Sequence, residues 1–124
     1  MDTREKIIPQ AEVAGVLAEG PWMVVIGLFD PMTAVEAERL AELGKTRNLL
    51  VVVLEEDGAL LEASARAVLV AALRGVSAVT IGRRENWRMA IPENAAVQIV
   101  DDSEGESARR NAFMELVTGR QQAR

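Results

Sequence analysis

Four short apolar runs, each closed by glycine or acidic turn residues, leave this chain few folds to choose from. Residues 22–28, 48–54, 76–81 and 95–100 are apolar at most positions rather than at alternate ones. A strand of that kind is covered on both faces, as in a parallel sheet, whereas a half-solvated strand alternates. Between the runs lie segments with helical spacing. Residues 10–19 place Val13, Val16 and Leu17 on one side, and residues 33–43 form an amphipathic helix closed by Gly44. Residues 59–74 are the most apolar segment, with Glu62, Ser64 and Arg66 their only polar members before Arg74. Pro9 stands where a first helical residue would, and Gly20-Pro21 and Gly75 stop helices. The alternation predicts an α/β fold: a small Rossmann-like parallel sheet of about four strands with helices on both faces. Residues 82–94 read as irregular, and a last helix is expected over 107–118. The whole of 1–124 suits one domain, with 1–6 and 120–124 expected to fray.

Composition removes several chemistries. The chain contains neither cysteine nor histidine, which excludes thiolate nucleophiles, disulfides, imidazole acid–base catalysis and the usual zinc sites. No metal site is expected, because the acidic turn Glu55-Glu56-Asp57-Gly58 lacks calcium-loop spacing. A net charge of −5 argues against nucleic acid as a partner. No apolar run approaches the ~18–20 residues that span a bilayer, and no basic leader precedes an apolar segment. A cytoplasmic location with no membrane partner is the expectation.

In parallel sheets of this kind ligands sit beyond the carboxyl ends of the strands. The loops that matter are therefore 27–33, 55–58, 82–88 and 101–107. The first reads Gly27-Leu28-Phe29-Asp30-Pro31-Met32-Thr33-Ala34-Val35-Glu36, a strand feeding a helix. Free amides at that helix start would favour a phosphate. Thr33 and Glu36 also have the spacing of a capping box, in which they serve the helix end and nothing else. Asp30 either orders the turn or points into a pocket. Arg83, Arg84 and Arg88, with Trp87 among them, offer two readings. They capture an anion or nucleotide beside a stacking indole, or they form a solvated loop paired with Glu85 or Glu93 while Trp87 covers the core. Arg109 and Arg110 either help bind phosphate or answer Asp101, Asp102, Glu104 and Glu106.

The turn resembles that of cytidylyltransferase-like nucleotidyltransferases, including the heptose-phosphate and glycerol-3-phosphate enzymes. They carry Gly-x-Phe-Asp followed by His-x-Gly-His. Aligned on Phe29-Asp30, the second motif falls on Thr33, Ala34, Val35 and Glu36, so both histidines are replaced. The resemblance continues through residues 64–79, similar to an Arg-x-x-x-Leu-x-Ala-Leu segment with Val70 at the leucine. It extends to 104–110, where Ser107 alone matches a hydroxyl of the family's Ser-Thr-Ser/Thr-x-x-Ile motif. The family's lysine-bearing loop after the second strand is reduced here to the acidic turn at 55–58.

The resemblance implies a nucleotide pocket lined by Gly27, Phe29, Asp30 and Ser107, in a catalytically degenerate protein acting as a regulatory or scaffold subunit. An alternative is active cytidylyl or adenylyl transfer to a phosphorylated sugar or polyol. Arg83, Arg84 or Arg109 would then replace the histidines, with Mg2+ accompanying the nucleotide. A second alternative is a purely structural, self-associating module with Met32 and Val35 filling the nucleotide volume. Related enzymes are often dimers, and the excess apolar surface of residues 59–73 also suits a homodimer.

Overall fold

The central strand β1 (Trp22–Gly27) is buried at every position, which requires a strand on each side and a helical layer on each face. The computed structural model, which describes residues 2–93, 95 and 97–103, supplies both. Strands β2 (Asn48–Glu55), β3 (Ala78–Arg83) and β4 (Val97–Asp101) complete a sheet of order β3-β2-β1-β4. All three pairings are parallel, with Trp22 level with Asn48 on one side and Val97 on the other. The expected Rossmann-like α/β architecture is what the chain forms.

Residues of alternate parity in β1 and β2 enter separate cores. Met23, Val25, Leu49, Val51 and Val53 pack with Leu40 of α2 (Ala34–Gly44) and with Ala67, Val70 and Ala71 of α3 (Ala63–Ala71). Val24, Ile26, Leu50, Val52 and Leu54 pack on the other face with Val13 and Leu17 of α1 (Gln10–Leu17) and with Trp87. Each fully buried Val, Leu or Ile contributes ~1.5–3 kcal/mol, so the two layers hold the sheet mainly through aliphatic side chains, with Phe29 in one and Trp22 and Trp87 in the other. The chain steps outward from β1 to β2 to β3, then returns to place β4 on β1's other side. The switch point therefore lies between the carboxyl ends of β1 and β4.

Several boundaries differ from the sequence expectation, each for a local reason. Pro9 is the N-cap of α1 rather than its first residue. Gly44 belongs to α2 and does not close it through a left-handed turn. It is glycine because a β-carbon there would lie 2.3 Å from the Gly75 carbonyl oxygen, a backbone that cannot step aside. Gly75 does adopt a left-handed φ of +94° just after α3. Residues 59–62 stay out of α3, as a turn whose Leu60 and Leu61 amides donate to the Asp30 carboxylate. The loop 82–94 contains a 3-10 turn, Trp87–Ala90.

A 3-10 turn, Thr3–Lys6, is capped by Asp2, whose carboxyl is held below its usual range by Arg4's side-chain and backbone donors. Ile8 N–H then donates to Val79 O at 2.8 Å, and Thr80 Oγ1 donates to Ile8 O at 2.9 Å. The segment thereby runs along the outer edge of β3, which would otherwise be open. The helix expected over 107–118 and the tail 120–124 lie outside the described residues. Among the described residues no helix is long and apolar enough to cross a membrane.

Candidate functional site

At the carboxyl edge, β1 passes from Gly27, buried and level with Val53, into a turn of unusual backbone. Phe29 has φ +52°, a conformation that costs a bulky L-residue ~1–2 kcal/mol. Its ring is 2% exposed and packs in the α2/α3-side core, so burial sustains the conformation. The following Asp30–Pro31 peptide is cis. Phe29 is thus a core residue rather than a lining one.

Asp30 resolves toward ordering the turn. Its Oδ2 accepts from Leu60 N–H at 2.7 Å and its Oδ1 from Leu61 N–H at 2.9 Å. The carboxylate pins the 56–62 loop onto the end of β1. From the other side the loop is held by Arg66, whose Nε donates to Leu61 O at 2.9 Å. Arg66 Nη1 donates to Leu28 O at 2.6 Å and Leu54 O at 2.8 Å, closing the ends of β1 and β2. The side chain is 1% exposed, and these three acceptors are all backbone carbonyls. Sequence reading missed this role. The available signal was one charge in an apolar helix, on the face shared with Ala67, Val70 and Ala71.

Thr33 and Glu36 serve the start of α2. Thr33 Oγ1 accepts from Glu36 N–H at 3.2 Å and donates to Glu36 Oε1 at 3.1 Å. Val35 is 74% exposed, so it fills no pocket, whereas Met32 packs against the core.

The arginines at and beyond the end of β3 do not act together. Arg83 pairs with Glu55 at 3.2 Å and Arg84 with Glu56 at 3.5 Å, not with Glu85 or Glu93 as expected. The acidic turn and the arginine loop answer one another because the parallel register sets Glu55 beside Arg83. Arg84 Nη1 also donates to Ser103 Oγ at 3.2 Å, reaching from the β3 end to the β4 end. Arg88 lies apart, its guanidinium 5.0 Å from the Trp87 ring centroid. Trp87 is buried and Arg88 lies over its ring, so the indole offers no open face for a base to stack on.

The switch point itself carries residues the sequence reading did not name as site residues. Asp102 N–H donates to Ile26 O at 2.9 Å, and its carboxylate pairs with Arg39 of α2 at 2.8 Å. Asp101 Oδ1 accepts from both the amide and the hydroxyl of Ser103, at 2.9 and 2.6 Å. An Asp-x-Ser turn directly after a strand was the legible cue. Ser107 and Arg109 lie outside the described residues.

Two clefts open along this edge. One of about 520 Å³ is lined by the 55–64 loop with Arg66 and Ile81 beneath it. The other, about 310 Å³, lies between residues 55–57 and 83–85. Among the described residues no cluster of three or more carboxylates could hold a metal ion. Compared with known proteins, the chain matches no family model and no curated sequence.

Proposed function

We propose that this protein is a non-catalytic, nucleotidyltransferase-like module that retains at most nucleotide binding at its switch point and acts as a regulatory or scaffold subunit. The observation that carries the reading is the closed Thr33–Glu36 pair. Where the family resemblance places phosphate donors, these side chains bond to each other and to the first turn of α2. Losing one such donor typically costs ~10²–10³ in rate, and here both positions have lost theirs. The strained Phe29 turn and the switch point in strand order between β1 and β4 support a retained ligand, because strain and switch points gather at binding sites.

The test is a thermal-shift and calorimetric screen with CTP, ATP and their magnesium complexes, run beside a pyrophosphate-release assay. Nucleotide at ~100 times its dissociation constant adds ~2.7 kcal/mol to stability. Stabilisation without turnover supports the proposal. Pyrophosphate release in the presence of a phosphorylated polyol or sugar would establish the active alternative instead.

One observation favours the structural-module reading. Arg84 engages Glu56 and Ser103 across the strand ends, so a cation that could meet phosphate is already bonded within the protein. A flat response to every nucleotide would leave that reading standing.

A further inference from the structure

The α3 surface that faces away from the sheet is largely apolar, with Ser64 the one exposed polar residue within the helix. Ala65, Val68, Leu69 and Ala72 are exposed, Val68 by 38% and Leu69 by 49%. Between Glu62 and Arg74 the only charge is Arg66, and that side chain points inward to the strand ends. Such a run is unusual in a chain that is 27% charged and carries a net −5. We propose that this face is the contact surface for a second copy of the chain, packed antiparallel across a two-fold axis at Val68 and Leu69.

Three observations select that occupant. A two-fold contact sets a surface against itself, so outward charge near the axis repels its own image. This face has none. The charges that bracket it are opposite, with Glu62 capping the amino end of α3 and Arg74 following its carboxyl end. Val68 lies midway between them in sequence. Antiparallel packing about that point brings Glu62 to the partner's Arg74 and Arg74 to the partner's Glu62, with the two helix dipoles opposed. Parallel packing would set like charges together. Among the described residues neither Glu62 nor Arg74 has an ion-pair partner within its own chain.

Ala65 and Ala72, one on each side of the axis, let the helix backbones approach closely. A lipid surface fits less well, because an interfacial helix flanks its apolar face with basic residues. Here one flank is Glu62 on a chain of net negative charge. One nine-residue helix is small beside the ~1,200–2,000 Å² of a stable interface, so the association is weak and concentration-dependent. The contact does not use the switch point between β1 and β4. A flat nucleotide screen would defeat the ligand reading and leave this one untouched.

The test is sedimentation velocity of the full chain across a concentration series, joined to cross-linking. The wild type shifts toward dimer with concentration, and Leu69→Glu remains monomeric with an unchanged melting temperature, because the side chain is half exposed. Glu62→Arg and Arg74→Glu each weaken the dimer several-fold, and the double exchange restores it. The chain has no cysteine, so Val68→Cys introduces a single thiol at the axis. Mild oxidation then yields a disulfide dimer, whereas Val35→Cys on exposed α2 stays monomeric. A chain monomeric at every concentration, a dimer indifferent to Leu69→Glu, or a double exchange that fails to restore association would each overturn the proposal. If Leu69→Glu fails to fold, cross-linking through Val68→Cys decides the matter.

Discussion

Arg66 and Arg84 reach the same carboxyl edge of the sheet, yet one is built into the fold and the other lies across its surface. Arg66 is 1% exposed and donates three bonds of 2.6–2.9 Å to backbone carbonyls of β1, β2 and the loop between β2 and α3. Arg84 has a side chain 43% exposed, a 3.5 Å contact to Glu56 and a 3.2 Å bond to Ser103. Carbonyls at buried strand ends cannot turn to water if their donor leaves, whereas the Arg84 guanidinium itself stays half exposed while it reaches the partly buried Glu56 and the buried Ser103. Arg66 is therefore architecture. Arg84, with its neighbour Arg83, belongs to the more solvated outer layer of the edge.

The largest effect expected from this contrast follows Arg66→Met. The substitution preserves apolar volume but strips three carbonyls of their donor. Hydrogen bonds to a charged group contribute ~1.5–3 kcal/mol each and are not additive, so the net loss is about 3–5 kcal/mol. Urea denaturation reads it directly. Arg66→Lys recovers little, because one ammonium cannot span acceptors that the planar guanidinium reaches together. A cost below ~1 kcal/mol would erase the distinction between the two arginines.

Asp30 sharpens the same point from the opposite charge. Asp30→Ala frees the Leu60 and Leu61 amides and costs about 1–3 kcal/mol. The diagnostic measurement is amide hydrogen exchange, which accelerates at Leu60 and Leu61 before it changes in β1. Thr33→Ala comes next. It removes only the helix cap, and ~1 kcal/mol is the expected loss by thermal denaturation.

The fold was largely legible because its signal is redundant. Every residue of β1 is apolar or glycine, and β2 repeats the pattern, so a parallel, doubly covered sheet follows with little ambiguity. Glycine roles were less legible. Gly44 and Gly75 look alike in sequence, yet one relieves a backbone contact and the other adopts a left-handed turn. The turn before α3 is tied to Asp30, roughly thirty residues upstream, by bonds that no local propensity encodes. At the edge, Thr33 and Glu36 were readable because a helix cap is local. The pairing of Glu55 with Arg83 was not, because it arises from strand register and not from sequence distance. Arg66 was hidden by its type, since burial of an arginine is set by what three distant carbonyls require.

The smallest effect belongs to Arg83, whose side chain is 68% exposed and whose carboxylate partner is 46% exposed. Pairs so solvated contribute ~0.2–1 kcal/mol, and Arg83→Ala should fall at the low end of that range. Raising the salt concentration from 0.05 to 0.5 M should largely reproduce the substitution, because screening shortens to a few ångström. Arg84→Ala should exceed it, since Arg84 also bonds Ser103 and so ties the end of β3 to that of β4. Its cost should persist in high salt, because the hydroxyl bond is not an ion pair. If the two substitutions are equal and both vanish in salt, Arg84 bridges nothing, and the outer layer of this edge is only a screened surface.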